Sequence, residues 1–426
     1  AAEGTVLLEN DGVLPLKDTK NINVFGWASV NPIYGGSGAG ALNDLYDRVT
    51  MREGLEDAGF KLNSELTDLY TNYGKERADY GSDWSLPEVP AEEYSDELIE
   101  NAKEFSDTAI VTIARWGGEG SDLPADMSSV SYTNNSDSYN DFETGQHYLE
   151  LSQTEKNMID IVCENFAHVI VICNSSNAME LGWVDEYKQI GSVISCPGAG
   201  ETGFAALGKI LNGEVNPSGK LADTYVYDLT ATPAFNNFGD FTYENMDEFG
   251  WEESNPFSGE TKLNDVNFVN YVENIYVGYK FYETAYAEAE AGNMNFDYDK
   301  VVQCPFGYGL SYTSFSQRIV DSSETDEGIK LAVEVENTGD VAGKDVVEVY
   351  YNPPYTNGGI EKSAANLIDF GKTGVLNSGE KETLEFTINK EDMASYDYKN
   401  NGCYVLDEGD YELSIRSDAH TILDKA

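Results

Sequence analysis

The stretch 115–122 reads RWGGEGSD and sets one carboxylate, Glu119, among glycines directly after the apolar run 108–114. Flanking glycines remove side-chain bulk and free the backbone. A substrate can reach such a carboxyl, and a reachable carboxyl can move a proton. Trp116 could stack on the apolar face of a sugar, and Arg115 could orient or tune the acid. Asp122 could hold the loop through backbone hydrogen bonds or supply turn chemistry alone. The competing reading is a solvated loop glutamate whose glycines serve only the turn.

A second loop, Tyr34-Gly35-Gly36-Ser37-Gly38-Ala39-Gly40, follows another apolar stretch at 21–26. It invites a phosphate-cradle reading, but its spacing is neither GxGxxG nor GxxxxGK[ST], and no lysine follows Ser37. What remains is close backbone approach to a ligand and the Ser37 hydroxyl. After the first loop, residues up to about 150 are irregular and polar, which in a compact domain marks a functional or disordered segment.

The elements that must position these loops are legible as alternating apolar strands and helices. Strands are expected at 21–26, 108–114, 168–173 and 190–196. Helices are expected at 42–58, 96–105 with Ser95 as cap, 177–187 and 201–212, and from the capping box Ser152-Gln153-Thr154-Glu155 to about 165. Residues 1–8 read as the inside of a helix. This is α/β, a mostly parallel α/β sandwich, in which ligands bind beyond the carboxyl ends of the strands. Both loops leave the sheet at that edge and could border one cleft. After 225 the character changes. Residues 226–316 read as an irregular connecting segment, rich over 226–300 in Asn, Asp, Phe and Tyr, and 317–426 as an all-β sandwich of alternating strands, at 331–337, 345–351, 382–388 and 410–416. The first unit then spans 1–225, and the last has a structural role.

The totals restrict partners. There are 76 acidic and 26 basic residues, a net charge of −50, which repels nucleic acid and anionic lipid and tolerates a neutral sugar. Five cysteines form no CxxC pair or regular framework, and Cys173 and Cys196, each ending an apolar run, read as buried. His147, His168 and His420 lie far apart, so neither a metal nor another cofactor is expected. No apolar run is long enough to span a membrane. The acidic surface leans toward a location outside the cell or at its surface, the unpaired cysteines toward the cytoplasm. The chain starts at Ala1 without Met, so a segment upstream is expected to be missing.

With these residues in view, the chain resembles the second and third domains of glycoside hydrolase family 3. GGSGAG stands at the expected place, and GGEGSD resembles the family's acid/base loop. NGEVNPSGKL at 212–221 resembles its G-x-x-N-P-S-G-[KR]-L pattern. YVGYKFY at 276–282 and PFGYGLSYTSF at 305–315 resemble its most specific stretches, and 337–354 resembles its fibronectin-type-III-like domain. The resemblance implies a retaining β-glycosidase, most of all a β-glucosidase acting on terminal β-D-glucosyl residues of β-glucosides or short β-linked oligosaccharides. Glu119 would be the general acid/base, with Ser37, Arg115, Trp116 and Asp122 near the substrate. The nucleophile would be an Asp on a (β/α)₈ barrel. No eightfold βα pattern is present here, so the barrel is expected on another chain, cleaved away or omitted; the domain order resembles members in which the barrel follows. Homo-oligomers are compatible with this. Gly81-Ser82-Asp83-Trp84 carries the letters of the family's nucleophile motif, but Glu76-Arg77-Ala78-Asp79-Tyr80 before it cannot form a buried strand, so Asp83 reads as a loop residue and Trp84 as packing or cleft wall. Many relatives carry Ser where Ala39 stands, which bears on substrate preference. The alternatives are a β-xylosidase, a non-catalytic carbohydrate-binding or cell-surface scaffold, and a nucleotide-binding α/β protein.

Overall fold

Short apolar runs with both faces buried make strands that only a doubly covered sheet can house. The structure is a computed structural model that describes all residues except 44, 78–82, 238, 240, 246–247, 249–250, 255, 260, 265–266 and 326–327. Six strands form its first sheet: β1 (Val6–Asn10), β2 (Asn21–Phe25), β3 (Lys61–Leu62), β4 (Thr108–Arg115), β5 (His168–Ser175) and β6 (Ile190–Ser195), in the order β1-β6-β5-β4-β2-β3. All neighbours are parallel except β1 and β6. In β4, Ala109, Val111 and Ile113 face one layer and Ile110 the other. The first layer holds α2 (Ser64–Asn72), α3 (Asp96–Phe105) and α4 (Gln153–Asn165); the second holds α1 (Met51–Asp57) and α5 (Phe204–Leu211). Gly54 and Gly208 let α1 and α5 cross closely, since a Cβ on Gly208 would lie 2.1 Å from the Gly54 carbonyl oxygen.

Three expected elements differ. Residues 6–10 are a strand, not part of a helix, because Val6 and Leu8 pack into one layer and Leu7 into the other. A period of two that buries both sides satisfies the edge of the sheet. The helix expected over 42–58 begins only at Met51, where Thr50 and Glu53 form a capping box. The helix expected over 177–187 is a short 3-10 stretch, Gly182–Glu186.

The second sheet system is all antiparallel. Strands Phe315–Thr325, Gly328–Asn337 and Lys381–Ile388 form one sheet; Asn366–Lys372, Val346–Asn352, Glu412–Arg416 and Ile422–Lys425 form the other. Val333, Val335, Val347, Val349 and Ile415 fill the space between, each fully buried. In the stretch between the two systems, a helix over Tyr279–Glu290 packs through Tyr282 on Val226, Tyr298 and Val302.

The PFGYGLSYTSF stretch joins the two systems. Leu310 N–H donates to the Leu7 carbonyl (2.8 Å) and Tyr308 Oη to that of Leu8 (3.1 Å). Asn216 Oδ1 accepts from Ser311 Oγ (2.9 Å) and Tyr312 N–H (2.8 Å), while its amide donates to the Ala342 carbonyl (3.1 Å). Lys220 Nζ bridges the carbonyls of Gly309 and Ser417, each at 3.1 Å. A Cβ on Gly309 would lie 2.2 Å from the Gly219 carbonyl oxygen, so the backbones touch. Gly309→Ala should therefore cost about 1–3 kcal/mol by overpacking, read as a lower midpoint in urea denaturation.

His420 ties the β-sandwich to the 279–290 helix. Its Nδ1 lies 3.0 Å from Glu283 Oε2, and its ring stacks on Tyr298 at 3.8 Å; Tyr298 in turn donates to Glu283 Oε1 at 2.6 Å. Burial lowers the imidazole pKa, but the hydrogen bond and charge of Glu283, with Asp418 and Asp299, outweigh it and raise the net value. A raised folded-state pKa contributes stability that is complete below the unfolded value, about 6.5, and is lost as pH rises through the folded value. His420→Gln should thus lower Tm more at about pH 5.5 than at about pH 9, a difference that calorimetry at the two pH values measures.

Candidate active site

Strands β2 and β4 lie side by side, with Phe25 opposite Val111. From β2 the chain passes outward to β3; from β4 it passes the other way to β5. The two strands therefore flank the point where strand order reverses, which opens a crevice at their carboxyl ends. The two glycine-bearing loops leave the sheet there.

The exit of β4 is fixed by Arg115. This side chain is fully buried and all five of its N–H groups are used. Nε donates to the Tyr148 carbonyl (2.7 Å), Nη1 to the Ala114 carbonyl (2.9 Å) and Glu155 Oε1 (2.7 Å), and Nη2 to the Glu150 carbonyl (2.5 Å) and Glu155 Oε2 (2.6 Å). Burial works against the guanidinium charge, but Glu155 more than offsets it, so its pKa is raised. Glu155 also completes the capping box of α4, accepting from Ser152 N–H at 2.8 Å. Arg115 was expected near substrate; it has no donor left for one and instead positions the loop.

A second buried acid, Glu88, fixes the exit of β2. Glu88 Oε2 accepts from Trp27 N–H (2.9 Å) and Oε1 from Val89 N–H (2.8 Å). Burial pushes its pKa up to about 8, against the pull of those two hydrogen bonds. Gly26 just before has φ +97°, and a Cβ there would lie 2.2 Å from the Thr112 carbonyl oxygen, so the chain turns against β4 itself.

Beyond these exits the loops interlock. Ser37 Oγ donates to the Glu119 carbonyl (2.7 Å), and Ala39 N–H donates to Glu119 Oε2 (2.9 Å). Gly38 has φ +55°, and a Cβ there would lie 2.3 Å from that same carboxylate oxygen; one on Gly118 would lie 2.4 Å from Ser37 N. Glycine at these places is what lets the two loops meet. Glu119 itself is exposed, so one oxygen is held and the carboxylate still faces outward.

The other expected residues fall differently. Trp116 is half-buried against Ala28, Ile33 and Ala114, and with Tyr34, Leu42, Arg48 and Arg77 it lines a cavity of about 260 Å³ beside the loops. Asp122 is exposed, and the turn before it is closed by Ser121 N–H to the Gly118 carbonyl (3.4 Å). Asp83 caps its own turn, accepting from Ser85 N–H (3.0 Å) and Oγ (2.6 Å), and Trp84 is buried edge-on to Tyr148 at 5.2 Å. Gly81 and Ser82 of that motif lie outside the described residues. The polar segment to 150 has its own small core of Met127, Phe142 and Tyr148 with Trp84 and Leu86. Its buried Asp141 binds Asn135 N–H (2.7 Å) and Thr154 Oγ1 (2.6 Å). Cys173 and Cys196 are buried. Among the described residues no cluster of His, Cys, Asp or Glu could hold a metal. Sequence reasoning missed Glu88, the second role of Glu155 and the Ala39 N–H. An acid between apolar residues in SLPEVP was the available sign for the first.

This fold, with a carboxylate reaching from the reversal point of a mixed sheet ahead of an antiparallel β-sandwich, defines a class. Residues 5–279 match the glycosyl hydrolase family 3 C-terminal domain and residues 345–419 a fibronectin type III-like domain. The chain belongs to glycosyl hydrolase family 3. It is 33% identical over 427 residues to a beta-glucosidase of Ruminococcus albus, covering 99% of this chain and 39% of that protein. Against beta-glucosidase A of Butyrivibrio fibrisolvens it is 30% identical over 441 residues, covering 97% and 48%. A solved beta-glucosidase from Paenibacillus barengoltzii superposes with a TM-score of 0.78 at 29% identity, covering 100% of this chain and 42% of that one. Beta-glucosidase 3B from Thermotoga neapolitana in complex with glycerol gives 0.76 at 28% identity, covering 100% and 52%. The chain thus spans about two fifths to half the length of these relatives.

Arg115→Met would leave the buried Glu155 without its cation, holding the Ser152 N–H of the capping box. It should destabilise the fold by about 3–5 kcal/mol, and Arg115→Met/Glu155→Gln should recover part of that loss in denaturant melts.

Proposed function

We propose that this chain supplies the general acid/base, Glu119, of a retaining β-glycosidase that hydrolyses terminal β-D-glucosyl residues. The nucleophile would be an Asp on a (β/α)₈ barrel. The observation that carries the reading is the anchoring of Glu119 at the crevice by the Ala39 N–H and Ser37. The relatives' beta-glucosidase names support the sugar, and their greater length leaves room for a further domain.

Retaining hydrolysis needs two carboxyl groups about 5–5.5 Å apart. The nucleophile attacks the anomeric carbon while Glu119 protonates the leaving oxygen. Glu119, now a carboxylate, then takes a proton from the water that releases the sugar. A residue donated across a domain boundary needs reach, and the seven glycines of the two loops provide it without loss of anchorage. Ser37 is a positioning residue in this scheme, Trp116 and the cavity beside it accept the leaving group, and Asp122 stands at the rim.

In the barrel-containing enzyme Glu119→Gln should lower kcat on aryl β-glucosides by about 10²–10⁴-fold. Azide should restore part of the turnover of Glu119→Gly as the glucosyl azide. Unchanged rates in Glu119→Gln would exclude the assignment, and faster turnover of aryl β-xylosides than glucosides would reassign the sugar.

A further inference from the structure

Sizeable hollows also lie away from Glu119. Two adjoining cavities, of about 870 and 630 Å³, lie where the 271–285 stretch crosses the β-sandwich. They share the walls Val272, Pro353, Lys362 and Ser363. Volumes of this size suit a ligand of several rings.

One wall is a tyrosine hairpin. Strands Ser395–Asp397 and Cys403–Val405 pair antiparallel and set Tyr396 directly opposite Tyr404, with ring centroids 5.2 Å apart. The two rings are 49% and 73% exposed, and Tyr398 beside them 58%. Exposure on this scale leaves ring faces available to a ligand. The hairpin tip is ordered by Asp397, whose Oδ1 accepts from the N–H groups of Lys399 (3.1 Å) and Asn400 (3.0 Å) and whose Oδ2 accepts from that of Asn401 (3.2 Å). The rings are therefore presented by a rigid element, which lowers the ordering cost of binding.

Two lysines, Lys362 and Lys280, line the same groove as the rings. Lys362 is buried, with its side chain 3% exposed, and donates to the Pro354 carbonyl (2.7 Å) and Asp407 Oδ2 (2.6 Å), which leaves one of three N–H groups. Lys280 is half-buried, and among the described residues its ammonium has neither a hydrogen-bond nor an ion-pair partner. Burial holds its pKa below the usual lysine range. Glu361, at 3.6 Å from Lys399, also lines the groove, so donors are present without a strong excess of positive charge.

Aromatic faces beside unfilled N–H donors, in a chain of net charge −50, fit a neutral ligand with apolar C–H faces and many hydroxyl acceptors. We propose that this groove is a second carbohydrate site, separate from Glu119, which binds a neutral β-linked gluco-oligosaccharide with its rings on Tyr396 and Tyr404 and its hydroxyls on Lys280 and Lys362. The choice of sugar rests on the β-glucosidase reading above. The site holds a chain without cleaving it, and so raises the local concentration of substrate ends.

Cys403 gives a direct readout, being exposed while the other four cysteines are buried. A fluorophore on Cys403 of this chain is titrated with cellotetraose, alongside calorimetry of the unlabelled chain. Saturable binding with Kd of about 1 mM is expected. Tyr404→Ala and Lys280→Ala should each raise Kd at least about tenfold, with Tyr404→Phe near wild type and melting curves unchanged. Glu119→Gln should leave this binding unaltered, so loss of hydrolysis and loss of groove binding are scored independently. No saturation by the folded wild-type chain, or binding indifferent to both Tyr404→Ala and Lys280→Ala, overturns the site. Salt-sensitive binding of trigalacturonate in place of cellotetraose overturns the neutral class, and a signal that tracks protein concentration without sugar gives the groove to a second copy.

Discussion

The ion pair between Arg115 and Glu155 decides where the loop bearing Glu119 begins. Strand β4 is buried at all eight positions and ends on a cation. Burying a guanidinium is tolerable only with a charge partner and filled hydrogen bonds, and here five acceptors surround it. Because Glu155 also caps α4, one side chain couples the end of the strand to the start of the next helix. The backbone that follows can be glycine-rich without losing its register, since the anchor lies behind it.

The same device recurs one strand away. Glu88 grips the Trp27 N–H at the exit of β2, so the serine loop is tied down at its base as well. Two loops anchored below and rich in glycine above then touch through Ser37, Gly38 and Glu119. The carboxylate gains a defined place with little bulk around it, as the proposed role of Glu119 requires. The most specific stretches of the sequence do other work. NPSGKL and PFGYGLSYTSF meet through Asn216, Lys220 and Gly309 and hold the β-sandwich against the sheet. They carry the resemblance to the family while standing apart from the Glu119 loop, because close backbone contact tolerates fewer residue types than a surface loop does.

Much of this was legible beforehand where a local rule sufficed. The runs at 108–114, 168–173 and 190–196 are strands because continuous apolar residues bounded by turns have no better use, and Ser152-Gln153-Thr154-Glu155 caps a helix by reciprocal hydrogen bonds. Local rules failed where burial on both sides mattered. Val6-Leu7-Leu8 looked helical because three adjacent apolar residues carry no period of their own, and the edge of the sheet supplied one. Strand Asn366–Lys372 escaped notice because most of its residues are only half-buried, so its side chains show no alternation.

The sequence by itself determined a chain of parallel strands and helices followed by a β-sandwich, a strongly acidic surface, and two glycine-bearing loops at strand ends. Those follow from periodicity, charge and backbone freedom, which are properties of neighbours along the chain. Only the tertiary structure decided that Arg115 turns inward to Glu155, that Glu88 holds Trp27, and that the Ala39 N–H meets Glu119. Each of those contacts joins residues 40 or more positions apart, and their partners are chosen by which strands lie side by side and, for the buried Arg115 and Glu88, by the need to satisfy polar groups out of water.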